Sequence, residues 1–204
     1  MTDVLISASE LTELLKKEPC VIIDTRNPDA YAAGLPVTKD VPKPAKAGFS
    51  IVPEAGDILI DAKTMLGALG KPGIAILDVR DVDEWIGDSS SPYGKDFCPR
   101  KGRIPGAVWL EWYRMMKPTA EGPRFKSRDE ILAECATVGI SQTTPVYLYC
   151  FKGARASNTF LALKNAGVKD VRMYFGSWNE WSRDPSLPID EGLPTAARLT
   201  GKAA

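Results

Sequence analysis

The stretch Val146-Tyr147-Leu148-Tyr149-Cys150-Phe151-Lys152-Gly153-Ala154-Arg155-Ala156-Ser157 changes character at its middle. Its first four residues are β-branched, aromatic or aliphatic, the composition of a buried strand. After Cys150 come a lysine, a glycine and an arginine, and then Thr159, Leu161, Ala162 and Leu163 in a helix pattern. The run therefore reads as strand, short loop, helix, with a thiol delivered to the end of the strand. A thiol is nucleophilic as thiolate, and an ordinary cysteine pKa of about 8.5 leaves little of it at neutral pH. The chain contains no histidine, which excludes cysteine–histidine proteases and acyltransferases. Backbone remains: a loop curling over the sulfur can aim successive N–H groups at it, and the next helix adds its positive N-terminus. Gly153 permits the backbone conformation such a cradle needs, and Lys152 and Arg155 add positive charge for an anionic ligand. The plain alternative is a buried strand-end thiol with Gly153 as an ordinary turn. The combination strand–Cys–x–x–Gly–x–Arg–helix weighs against it.

Outward from this stretch the pattern alternates. Helices are expected over 61–69, 81–86, 127–138 and 156–166, strands over 74–78, near 107–108, over 145–149 and over 171–174, and a last helical turn over 176–182. Residues 88–103, rich in Ser, Pro, Gly and Lys, read as irregular. Such alternation predicts an α/β fold, a parallel sheet with helices on both faces. Ligands of these sheets lie outside the carboxyl ends of the strands, where Cys150 sits.

The first half carries an internal echo. Val21-Ile22-Ile23-Asp24-Thr25-Arg26 aligns with Ala75-Ile76-Leu77-Asp78-Val79-Arg80, and an aromatic residue follows at the same distance, Tyr31 or Trp85. Ser7 and Asp61 open a short amphipathic helix ahead of each copy. The first copy stops early in a proline- and lysine-rich connector, with no cysteine loop. The expected organisation is a structural remnant over 1–36, a connector over 37–57, a functional domain over 58–190 and a tail over 191–204.

Equal numbers of acidic and basic residues, 26 each, remove a global field for nucleic acid or anionic membrane. No secretory signal and no run of about 18 apolar residues is visible, so the chain is expected in the cytoplasm. Cys20, Cys98, Cys135 and Cys150 form no CxxC pair, which speaks against zinc. Free thiols are expected in a reducing cytosol, Cys20 and Cys135 as core residues.

Cys150-Phe151-Lys152-Gly153-Ala154-Arg155 resembles the active-site loop of rhodaneses, the thiosulfate and mercaptopyruvate sulfurtransferases. Ile76-Leu77-Asp78-Val79-Arg80 with Glu84-Trp85 is similar to the family's first signature. Gly102-Arg103-Ile104-Pro105-Gly106-Ala107 resembles its Gly-His-Ile-Pro-Gly-Ala element with arginine for histidine, and Gly176-Ser177-Trp178 with Trp181 resembles its closing Gly-Gly-Trp-x-x-Trp element. The likeness covers roughly residues 58–190, and residues 1–36 resemble the inactive first domain of tandem rhodaneses, cut short. The resemblance implies Cys150 as nucleophile, taking the outer sulfur of thiosulfate as a persulfide and passing it to cyanide, a thiol or a protein acceptor. It implies no cofactor. Lys152 is the candidate holder of the sulfonate and tilts the donor towards thiosulfate, since mercaptopyruvate enzymes of the family tend to carry small neutral residues there. Phe151, Gly153, Ala154 and Arg155 complete the substrate loop, with Asp78, Arg80 and Arg103 in support. Arg155 has a structural alternative, a pair with Asp78 or Glu84.

One position departs from the family pattern. Tandem thiosulfate enzymes carry a second arginine where Glu84 stands, and Arg100, Lys101 or Arg103 would have to supply that charge. Related phosphatases place five residues between cysteine and arginine, whereas four stand between Cys150 and Arg155. The smaller ring suits sulfur and cramps phosphate. A second class of reading is a sulfur-carrier module, with residues 89–100 and the aromatics Trp109, Trp112 and Tyr113 as a docking face; core and rim packing is the bland account of those aromatics. Cys98 could resolve an oxidised Cys150 as a disulfide. A truncated first copy could leave an apolar surface for a second subunit, so a homo-oligomer is a further expectation.

Overall fold

The computed structural model describes residues 7–17, 58–94, 97–120 and 122–194. The chain divides into two compact units, one of Leu5–Glu54 and one of Met1–Val4 with Ala55–Ala204. In the first, helix α1 (Ala8–Lys17) begins at Ser7, whose hydroxyl accepts from Glu10 N–H at 3.2 Å while its own N–H donates to the Glu10 carboxylate at 2.7 Å. This reciprocal capping box satisfies two donors that a helix start leaves free. The echo strand at Val21–Asp24 and the connector lie outside the described residues.

The second unit is built around a five-stranded parallel sheet of order β1-β7-β6-β2-β3. Its strands are β1 (Leu59–Ile60), β2 (Ala75–Asp78), β3 (Val108–Trp109), β6 (Val146–Tyr149) and β7 (Val171–Tyr174). The central strand β6 is buried at every position, as both-face burial of a parallel sheet requires. Helices α2 (Ala62–Ala68), α3 (Val82–Trp85), α4 (Arg128–Ala136), α5 (Ala154–Asn165) and α6 (Ser177–Trp181) cover it. The cap expected at Asp61 is present, accepting from Thr64 N–H at 2.8 Å, and Ser127 with Glu130 forms a further capping box.

Strand alternation separates two cores. Leu77, Val79, Val146, Leu148 and Cys150 turn to one face and pack with Ile131 and Cys135 of α4 and Ala162 and Leu163 of α5. Ile76, Tyr147, Tyr149 and Phe151 turn to the other and pack with Met65, Trp85, Trp178 and Trp181. The α/β architecture with helices on both faces is the one the alternation predicts. Three elements are not readable from pattern: β1, a 3-10 turn over Trp112–Met115, and the hairpin β4 (Met116–Lys117)–β5 (Arg124–Phe125). Each is built of segments of four residues or fewer, too brief for any periodicity to register. Among the described residues no helix is long and apolar enough to cross a membrane.

Candidate active site

Cys150 follows the last residue of β6, and Gly153 caps α5 in a left-handed conformation with φ of 91°. This turn brings the Gly153 N–H to 3.1 Å from Cys150 Sγ. Any other residue at Gly153 would suffer twice, because a Cβ there would also meet the Phe175 ring at 2.8 Å. The sulfur thus lies at the N-terminus of a twelve-residue helix, where the orphan N–H groups and the dipole favour an anion. The hydrogen bond found to the sulfur comes from Gly153; the helix itself starts at Ala154, two residues before the expected position.

The next layer orients the loop. Cys150 N–H donates to Ser177 Oγ at 3.3 Å, and that hydroxyl donates to Tyr174 C=O at 2.9 Å. Trp178 N–H and Asn179 N–H donate to the carbonyls of Cys150 and Phe151 at 2.9 and 3.0 Å. The first turn of α6 therefore clasps the cysteine backbone. Ser177 does this with φ of 54°, the positive-φ residue other than glycine among those described. Sequence reasoning misses it: the family pattern has glycine there, which fits the conformation but offers no hydroxyl.

Arg155 pairs with Glu84 through two contacts of 2.6 and 3.1 Å and with Asp81 at 2.9 Å. The expected structural alternative named Glu84 or Asp78; the partners are Glu84 and Asp81, and Asp78 is engaged elsewhere. Burial is the largest influence on Glu84 and raises its carboxyl, with Arg155 pulling the other way. The carboxylates of Asp81, Asp83 and Glu84 come within 4.8 Å of one another, but Arg155 already holds two of them.

Asp78 and Arg80 form a fully buried pair at 2.6 Å. Tyr149 donates its hydroxyl to Asp78 at 2.6 Å and accepts from Ile104 N–H at 3.1 Å, and Arg80 donates to Gly102 C=O at 2.8 Å and lies over the Trp178 ring at 4.6 Å. Together they tie the ends of β2 and β6 to the loop before β3, beneath the cysteine. Arg103 is buried, donating to the carbonyls of Trp85 and Gly192 at 3.0 and 2.8 Å. Arg100 donates to the carbonyls of Trp181, Ser182, Asp184 and Leu187, and Lys101 to that of Asp88 at 2.6 Å. None of the three borders the cavity at Cys150. The charge expected from them for the ligand is spent on backbone carbonyls instead.

That cavity, of about 570 Å³, has Cys150, Lys152, Ala154 and Arg155 on its border together with Phe151, Tyr93, Phe97, Trp112 and Tyr113. Lys152 Nζ lies 5.2 Å from the Phe97 ring centroid and 5.3 Å from that of Phe151. Trp109 is not part of this border; it stacks on Trp85 at 6.3 Å. Cys98 is a free, fully buried thiol on the opposite face of the sheet from Cys150. The disulfide expected as an alternative is not formed, and the two sulfurs belong to different cores.

The fold and loop define a class, and comparison names it: the profile of the rhodanese-like domain matches residues 61–184. The chain belongs to the rhodanese-like domain family. It is 32% identical over 167 residues to the thiosulfate sulfurtransferase YnjE of Escherichia coli, covering 78% of this chain and 38% of the relative. The solved structure of YnjE superposes with a TM-score of 0.65 at 30% identity, over 82% of this chain and 41% of that one. A probable 3-mercaptopyruvate sulfurtransferase of Pseudomonas aeruginosa is 31% identical over 79% of this chain and 54% of its own. The sulfur carrier protein TtuD of Thermus thermophilus is 32% identical over 58% of this chain and 41% of its own. The chain thus spans about two fifths to one half of the relatives it matches.

Proposed function

We propose that this chain is a sulfurtransferase that takes sulfane sulfur from thiosulfate onto Cys150 and passes it to a thiophilic acceptor. The observation that carries the reading is the position of Cys150 Sγ, bound by Gly153 N–H at the start of α5 on the border of a cavity that also holds Lys152. In the first half-reaction the Cys150 thiolate attacks the outer sulfur of thiosulfate. The S–S bond of the donor breaks and sulfite leaves with its electron pair, its negative charge met by Lys152. In the second, the acceptor attacks the outer sulfur of the Cys150 persulfide and the Cys150 thiolate is released. No proton transfer by a base is required, which suits a site without histidine. Arg155 acts through Glu84 and Asp81 in positioning the loop, and Asp78, Arg80 and Arg103 hold the strand ends. Residues 58–190 form the catalytic unit of this proposal, and residues 1–36 a remnant without a centre of its own.

The test is thiocyanate formation from thiosulfate and cyanide, comparing wild type with Cys150→Ser, with intact mass measured on the same samples. The expected result is turnover and one added sulfur atom in the wild type alone. Neither signal with thiosulfate, but a sulfur adduct with 3-mercaptopyruvate, would move the donor to that of the Pseudomonas relative. A sulfur adduct without turnover would favour a carrier that discharges to a protein, the reading supported by the likeness to TtuD.

A further inference from the structure

The cavity beside Cys150 is larger and more aromatic than thiosulfate needs. Thiosulfate occupies on the order of 100 Å³, the share of a few waters, against about 570 Å³ here. A volume of that size is typical of sites for organic ligands. Its border carries two aromatic groups from different segments. Tyr93 packs against Phe97 and Phe151 with ring centroids 5.6 and 5.1 Å apart, and Trp112 against Tyr113 at 4.0 Å. Tyr93, Phe97 and Tyr113 are exposed by 63%, 41% and 54%, and with Phe175 they are the exposed aromatics among the described residues. Three of those four therefore border one cavity, where a core or solubility requirement would not gather them.

Charge on the border is equally selective. The Asp81 carboxylate on the border is engaged by Arg155, which also holds Glu84. Lys152 is exposed and lies over the Phe97 and Phe151 rings, with no ion pair to another described residue. At the sulfur itself access is narrow, since Cys150 is 1% exposed. A slim group can reach it, whereas the cysteine of a folded protein would need a protruding tip.

We infer that the sulfur acceptor is a planar aromatic thiol bearing an acidic group, its ring held by the aromatics of the cavity and its acid by Lys152. The inference rests on the persulfide reading of the preceding subsection and names the chemistry of its second half-reaction. The acceptor's thiolate attacks the outer sulfur of the Cys150 persulfide. A bond forms between that sulfur and the acceptor, the bond to Sγ breaks, and its electron pair stays on Cys150 as thiolate. The product is the acceptor's persulfide, and no outside oxidant or reductant is consumed. Lys152 serves both halves in turn, holding sulfonate while sulfite departs and the acceptor's acid afterwards.

The experiment uses the whole chain loaded with one sulfur and followed by intact mass as the persulfide discharges. Three probes are compared at equal thiolate concentration: 4-mercaptobenzoate, thiophenol and 3-mercaptopropionate. Each rate is divided by the probe's rate with a small-molecule persulfide, which removes its intrinsic nucleophilicity. The expected result is that 4-mercaptobenzoate discharges Cys150 at least about tenfold faster than either other probe, the factor that 1.4 kcal/mol of binding represents. In Lys152→Met its advantage over thiophenol should disappear, and in Phe97→Ala and Tyr113→Ala its advantage over 3-mercaptopropionate should shrink. These variants are loaded from polysulfide, which needs no sulfonate anchor. Equal normalised rates for the three probes on a wild type that cyanide still discharges would overturn the inference and leave the sulfurtransferase reading intact. A Cys150 that takes up no sulfur from any donor would overturn both.

Discussion

The two faces of the central sheet are built from different chemistry. The face that receives Cys150 is aliphatic: Leu77, Val79, Val146 and Leu148 against Ile131, Ala162 and Leu163. The opposite face is aromatic, with Trp85, Tyr147, Tyr149, Tyr174, Trp178 and Trp181, and it buries the charged pair Asp78–Arg80 as well. The aliphatic face needs only shape to hold together. The aromatic face needs its hydrogen bonds and charges matched, and in return it fixes the ends of β2 and β6 relative to α6. The thiol thus projects from a face whose core is aliphatic, while the loop that aims it is anchored from the other side. Burial acts alike on the core thiols of both faces: it raises Cys135 to about 11 and also raises Cys98.

The contrast between the faces is tested most severely at the charged pair. Arg80→Met leaves the Asp78 carboxylate buried without its cation and should cost about 3–5 kcal/mol in urea unfolding. Adding Asp78→Asn, which keeps an acceptor for Tyr149, should recover more than half of that; equal losses in single and double variants would show that charge is not what the aromatic face depends on. On the aliphatic face Leu148→Ala should cost about 3 kcal/mol, from lost transfer energy and a cavity, and a companion change of a polar group should not rescue it. Ser177→Gly tests the clasp between the faces. Glycine relieves a strain of about 1 kcal/mol but leaves Cys150 N–H buried and unpaired at about 1–3 kcal/mol. A net loss of about 1 kcal/mol is expected, and a variant more stable than wild type would deny the hydroxyl its role.

Smaller effects concern the thiols and the rim. Iodoacetamide at about pH 8, near the ordinary thiol pKa, should modify Cys150 before Cys98 or Cys135, because burial keeps the latter two protonated there. Peptide mapping that finds Cys135 first would contradict its burial within the core and the place of Cys150 on the cavity border. Glu130, on the exposed rim of α4, is lowered to about 2 by Lys117 and the Ser127 cap. A depressed carboxylate contributes stability above its unfolded value near 4.5 that is lost as pH falls towards about 2. Its side-chain carbon shift, followed by NMR, should titrate near the lower value and move up in Lys117→Met.

Much of the fold is legible in the sequence. The strand of β6, the helix after it and the alternation that makes the sheet parallel all follow from runs long enough to carry a period. Ser7 and Asp61 announce helix starts through their hydrogen-bonding side chains. What stays hidden depends on distance in space. Arg100 and Arg103 carry charges that sequence cannot steer away from the cavity, because their acceptors include carbonyls about 80–90 residues onward in the chain. Asp81 reads only as the start of the helix expected over 81–86, and its contact with Arg155 exists only once β2 and β6 are neighbours. Ser177 replaces a glycine of the family pattern, and nothing local reveals that its hydroxyl reaches Cys150.

The pairing of β2 with β6 also sets an order of events during synthesis. The two strands lie side by side over their whole length yet are about 70 residues apart in the chain. At about 5–20 residues per second a ribosome needs about 4 to 14 seconds to deliver the second after the first. Throughout that interval β2 has β3 for one edge alone, and the edge that takes β6 stays open. The Cys150 loop has no template until β6 arrives, and α6, which clasps it, emerges later still. The sheet therefore stays unfinished from the synthesis of β2 until β6 follows, and the thiol takes its place after the strands beside it have been made.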